Sequence, residues 1–375
     1  MSRECKAKLG KRALNPPVTK YMSWHEISQG ALYLSGCNPF YCGNGCVPWP
    51  CGRARIYRGL SMAIEWLLTN IVFFVLSGYV IAMVTSERER TLKQYAISRI
   101  SRLYSVVLPA LVLTLACDLV GSYLNPDFYA LGPGKYHQDT LFLQYFLSLF
   151  LAQNFWDAGL NPGINEPFWS LSFEMIYYLM FAAIFFASGR TRIIVLCLIL
   201  AIAGPTIVLL APIWGLGYVA FLLHQRWQFH PPFKNCIAAT ISLACLIGII
   251  FLSPLIRSKF QVDLYLSQRS EIPADYFDGL LFAIHLTLAP NILFYISKYF
   301  VGVSSYITWL ASLTFALYLF HRPIIQILAA VEFVPPDTVM GRVYMIGITI
   351  FVVATLGRWC ETQKYWIKNK LNSVF

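Results

Sequence analysis

Charge is what this sequence has least of. Only 13% of its 375 residues are Asp, Glu, Lys or Arg, against about 25% in an ordinary soluble domain. With 57% hydrophobic residues and a mean hydropathy of +0.58, a water-facing surface over so much apolar chain is hard to build. That excludes an ordinary soluble globule, and lipid is the better solvent. Acidic residues are scarcer than basic ones, 18 against 29, for a formal charge of +11. Such an excess raises nucleic acid as a partner, but a contiguous basic face is missing. The basic residues sit in short loops between apolar runs, as the positive-inside rule requires, so no nucleic-acid binding is expected. Strand-like alternation and internal repeats are also lacking, and the second lack disfavours a secondary transporter. The N-terminus has no apolar core of the kind a signal peptide needs.

What is present is a series of long apolar runs. A helix rises about 1.5 Å per residue, so roughly 20 apolar residues cross a bilayer core. The sequence predicts spans near 60–84, 103–124, 168–188, 192–211, 213–224, 236–254, 278–298, 304–330 and 338–357. It predicts an all-α polytopic bundle of about nine to ten spans. The apolar stretch 141–156 is short and is expected to be interfacial or re-entrant.

Lysine and arginine set the orientation. Arg88, Arg90, Lys93, Arg99 and Arg102 follow the first span, Arg190 and Arg192 the third, Arg226 and Lys234 the fifth, Lys298 the seventh, and Arg358, Lys364, Lys368 and Lys370 the last. These loops share a side, expected to be the cytoplasm, which places the C-terminus inside. Arg257, Lys259 and Arg269 are the exceptions. Residues 1–57 form an atypical segment rich in Cys, Pro and Gly, ahead of a membrane domain over 58–375. Their cysteines Cys37, Cys42, Cys46 and Cys51 lack the usual zinc spacing. Disulfides would be permitted on an outer face, and no metal is expected.

Polar groups inside spans are functional candidates by default. On a helix Ser170, Glu174, Tyr177 and Tyr178 share a face, either as an active-site or substrate group or as a structural hydrogen-bond knot. Glu174 is expected about 9 Å below the outer end of its span. His321 sits beside Arg322 and the helix-bending Pro323 in the outer half of its span. Glu65, with Ser61 and Thr69 on its face, is a weaker candidate. Arg99 and Arg102, at i and i+3, suit a phosphate or pyrophosphate; their alternative role is a positive-inside anchor.

Four phrases occur in one order: Phe73-Phe-Val-Leu-Ser-Gly78-Tyr-Val-Ile, Arg99-x-x-Arg102 with Pro109 following, Trp169-Ser-Leu-Ser-Phe-Glu174 with its tyrosines, and Ser312-Leu-Thr-Phe-Ala-Leu-Tyr-Leu-Phe-His321-Arg-Pro. Together they resemble the acyltransferase 3 family of bacterial integral membrane O-acyltransferases, over roughly residues 58–365. The resemblance implies acyl transfer, usually of acetyl from acetyl-CoA or of another group from its acyl-CoA. The acceptor would be a hydroxyl on a saccharide, a glycolipid or a lipid-linked or cell-envelope glycan outside the cytoplasm. The protein would sit in the bacterial inner membrane. Arg99 and Arg102 would hold the CoA phosphates, Glu174 and His321 would be catalytic, and Trp169, Ser170, Tyr177 and Tyr178 would bind substrate. One family feature is not found: a first span bearing Arg or Lys, ten residues, then a catalytic His. From Arg58 that interval ends on Thr69, and from His25 it leads back to Leu14. Nine spans with the C-terminus inside also place the basic residues 1–59 outside, and no apolar run there is long enough for the tenth span that would settle this. The missing signature and the missing span coincide, so residues 1–57 are expected to have no family counterpart, the natural start being lost or replaced. A catalytically impaired relative is the alternative this leaves open.

Overall fold

The computed structural model describes residues 70–131, 138–229, 235–262, 267, 269–335 and 338–374. The cysteine run 37–51, His25, Arg58 and the Glu65 face lie outside them. Among the described residues the chain is α-helical with short 3-10 turns and no strand. In order come α1 (Asn70–Glu87), α2 (Leu92–Leu124), α3 (Pro126–Leu131), α4 (Leu141–Leu149), α5 (Trp169–Phe186), α6 (Gly189–Ala203), α7 (Pro205–Phe229), α8 (Asn235–Lys259), α9 (Ile272–Phe300), α10 (Ser304–Val331) and α11 (Val339–Val374). Among the described residues six stretches are long and apolar enough to cross a membrane: α2, α7, α8, α10, α11, and α5 with the turn before it. Helix α1 is a shorter apolar helix. The chain is therefore an integral membrane helical bundle, with six such helices among the described residues; the sequence predicts about nine to ten spans over the whole chain.

The sequence divides 192–211 from 213–224, but the break falls earlier. Gly204 has φ 87°, a backbone conformation that side-chain-bearing residues resist, and Pro205 opens α7 where its missing N–H costs nothing. Pro212 stays inside α7. Of the stretch 141–156 only Leu141–Leu149 is α-helical, and Phe142 and Phe146 face outward from it. The chain then turns inward and buries Leu151, Gln153, Ile164, Asn165 and Phe168.

Helix α9 packs between α8 and α7, α7 packs on α1, and α10 lies between α2 and α11; α5 touches α2, α6 and α7. Between α1 and α7 the backbones themselves meet. A Cβ on Gly78 would stand 2.1 Å from Trp214 O, and one on Gly217 1.9 Å from Val75 O. In lipid, where apolar side chains gain nothing by leaving their solvent, small residues of this kind let helices associate. Aromatic rings fill the space beside that crossing: Phe74 stacks on Phe173 at 5.7 Å and meets Tyr177 edge-on at 5.6 Å. Tyr177 in turn meets Trp214 at 5.9 Å.

Helix α10 runs unbroken through Pro323. Proline has no N–H for the carbonyl four residues back, so Leu319 O needs another donor. Asn165 supplies it at 2.9 Å, while also donating to Thr114 Oγ1 at 2.8 Å.

The basic exceptions at the other end of the bundle are also accounted for. Arg257 contacts Glu271 at 2.7 Å, Asp275 at 3.0 Å and Asp278 at 2.6 Å, and Arg269 forks onto Asp275. Burial disfavours the Arg269 charge, yet the carboxylates of Asp275 and Glu271 outweigh it and raise its pKa. Two arginines are thereby matched by three carboxylates, two of them fully buried.

Candidate active site

Helix α2 has 33 residues, so it is about 50 Å long and outreaches a hydrocarbon core of about 30 Å. Arg99 and Arg102 lie roughly 10 and 15 Å from its first residue, Leu92. Helix α5 has only 18 residues, and its Tyr178 reaches the same level: Tyr95 donates to Tyr178 O at 3.0 Å. Here Arg99 donates to Glu89 at 2.7 Å, with both side chains 6% exposed. Its guanidinium lies 5.2 Å from the Tyr95 ring and 5.7 Å from the Tyr178 ring. Tyr178 donates to Glu174 Oε1, while Glu174 Oε2 has no partner among the described residues. Arg102 is exposed and, with Arg99, contributes to the field on Glu174. A buried carboxylate, two tyrosine rings and two arginines thus form one group.

A second group lies around the start of α5, beginning one helical turn before Glu174. Arg322 pairs with Glu166 at 3.1 Å, and Asp118 Oδ2 accepts from Ile164 N at 3.2 Å. His321 is 2% exposed, with Nδ1 2.9 Å from Leu317 O. Ser170 Oγ and Tyr318 Oη lie 2.8 Å apart, and Tyr318 donates to Pro167 O at 2.9 Å. Trp169 carries the Arg269 guanidinium over its ring at 5.4 Å. No group of three or more His, Cys, Asp or Glu among the described residues is placed to hold a metal.

The candidates read from the sequence therefore separate. Glu174, Tyr178, Arg99 and Arg102 come together. His321, Trp169 and Ser170 belong to the group at the start of α5, and Tyr177 faces the aromatic core with its hydroxyl donated to Ile207 O at 3.0 Å. The i, i+3 spacing suggests that the two arginines act alike, but Arg99 is buried and paired while Arg102 is exposed. Residues missed in the sequence are Glu89, Tyr95 and Asn165. Glu89 sits in a run of charges that reads as an ordinary loop, and nothing local marks Asn165.

A family model described as an acyltransferase domain matches residues 70–357. No curated protein and no solved structure matches the chain. The match takes in α1 through most of α11, both polar groups and all four motif phrases, and by it the chain belongs to the acyltransferase 3 family.

Proposed function

We propose that this membrane acyltransferase moves an acyl group, in the simplest case acetyl from acetyl-CoA, to a hydroxyl of an extracytoplasmic saccharide, glycolipid or cell-envelope glycan. The observation that carries the reading is the group at Glu174: a buried carboxylate with one oxygen unpartnered among the described residues, in the field of the exposed Arg102, which the sequence counts among the basic loops. In this reading those loops face the cytoplasm of a bacterial inner membrane. Arg102 meets the CoA phosphates, and Arg99 is held by Glu89 and shapes the floor beneath. The acceptor hydroxyl attacks the thioester carbonyl carbon and its proton passes to Glu174. The C–S bond then breaks, and the departing thiolate takes a proton in turn. A positioned base of this kind contributes about 10²–10⁴-fold.

The test is turnover of labelled acetyl-CoA by the purified full chain with extracted cell-envelope glycans. Glu174→Gln is expected to lower kcat about 10²-fold or more, and an unchanged kcat removes Glu174 as the base. A second reading, a catalytically impaired member, rests on Thr69 standing where the family has histidine. It predicts no turnover from the native chain and restored turnover when residues 1–57 are replaced by a relative's first span.

A further inference from the structure

The second polar group holds an unusual set of buried atoms. Asp118 Oδ1, Gln153 Oε1, Asn165 Oδ1, His321 Nε2 and both amide atoms of Gln326 have no partner among the described residues. Each of these side chains is at most 2% exposed. Residues 164–168 tie the first three to one place, and His321 and Gln326 follow Leu319 on α10. Asp118 accepts from Ile164 N, Asn165 donates to Leu319 O just before His321, and Gln153 donates to Phe168 O at 2.5 Å. The neighbouring Glu166 is 41% exposed and pairs with Arg322, so the group reaches the surface on that side.

The existing hydrogen bonds fix what each unpartnered atom is. Asn165 spends its N–H groups on Thr114 and Leu319 O, and Gln153 Nε2 spends its own on Phe168 O, so both amides are left with their oxygens. His321 Nδ1 faces a carbonyl and must carry the hydrogen, which in the neutral ring leaves Nε2 with a lone pair. Asp118 Oδ1 is a carboxylate oxygen. Four acceptors, with one amide offering both functions, call for a ligand rich in donors that also accepts. Hydroxyl groups do both. Carboxylate and phosphate oxygens supply no donor, and an ammonium supplies no acceptor. Burying such atoms unpaired is costly, so the arrangement is worth keeping where something pairs with them.

We infer that Asp118, Gln153, Asn165, His321 and Gln326 form a binding site for a hydroxyl-rich ligand, the pyranose ring of a neutral saccharide. The purpose of the site rests on the transfer reading above, since an acceptor must present its hydroxyl from this end. Its existence does not, because binding is measured without donor or turnover.

The experiment is thermal unfolding of the full chain in detergent against increasing methyl glucoside or methyl galactoside, with their tetra-O-methyl ethers as controls. The ethers keep every oxygen and lose the donors. The free glycosides are expected to raise the unfolding temperature and the ethers to leave it unchanged. Gln326→Met removes an amide that has no protein partner. It is expected to fold at least as stably as the parent and to weaken the apparent glycoside affinity about three- to tenfold. His321→Phe is the second variant, with the same expected loss. No shift with either glycoside, equal shifts with the ethers, or an undiminished shift in Gln326→Met would each overturn the site and leave these atoms to water. Stabilisation by phosphatidylglycerol micelles but by neither glycoside would equally replace the saccharide with a lipid headgroup.

Discussion

Asn165 and Pro323 answer one another. The proline withdraws a donor from Leu319 O inside a membrane helix, where an unpaired carbonyl is expensive, and the asparagine replaces it. Asn165→Leu is expected to cost about 1–3 kcal/mol. In a Pro323→Ala background, where the helix supplies its own N–H, the same change should cost about 1 kcal/mol less. Strictly additive losses in denaturant unfolding would show that the two do not communicate. Proline is conspicuous in the sequence, whereas the asparagine lies 154 positions from the carbonyl it serves and carries no local signal. The arginines teach a related lesson. Their spacing was readable, but only packing reveals that Glu89 claims Arg99. Glu89→Gln should therefore destabilise the fold by about 3–5 kcal/mol, as the breaking of a buried pair does. Arg102→Gln should leave thermal stability nearly unchanged while weakening CoA binding in a salt-dependent way. CoA affinity that is unaltered by Arg102→Gln would return this residue to a topology anchor.

At the scale of elements, the existence of the helices was legible from apolar length alone, while their meetings were not. Gly78 belongs to a motif phrase, but nothing in that phrase says that Gly217 of α7 will lie against Val75. Both glycines serve a backbone-to-backbone approach that any side chain would prevent. Gly78→Leu or Gly217→Leu is expected to force α1 from α7 and to abolish a folded, detergent-stable product. Gly217→Ala, whose Cβ meets backbone rather than a flexible side chain, should already cost about 3 kcal/mol or more as overpacking. A stable Gly217→Leu protein with wild-type unfolding would mean that the crossing tolerates separation. The break at Gly204 was visible as a Gly-Pro pair. Its priority over Pro212 was not, because a proline within a helix only forfeits one hydrogen bond, whereas a residue at φ 87° ends the helix outright.

Across the whole molecule, the membrane character and the motif order were legible because composition and apolar length are summed over many residues. The number of crossings was less so, since a helix of 15 residues such as α6 falls short of a bilayer. The proposed orientation is checked by single cysteines: Gln94→Cys and Trp366→Cys should react with an impermeant thiol reagent only in permeabilised cells, and labelling of both in intact cells would invert the scheme. That orientation gives the Arg257–Arg269 network a second meaning. To reach the far side, the hairpin of α8 and α9 must carry arginines outward against a membrane potential, which opposes each positive charge by about 2.3 kcal/mol per 100 mV. Residues 255–278 hold Arg257, Lys259 and Arg269 against Asp263, Glu271, Asp275 and Asp278, so the segment crosses as a weak net anion. The potential then draws it outward instead of holding it back. The carboxylates that neutralise the folded network would thus also help to translocate the loop while the protein is being inserted.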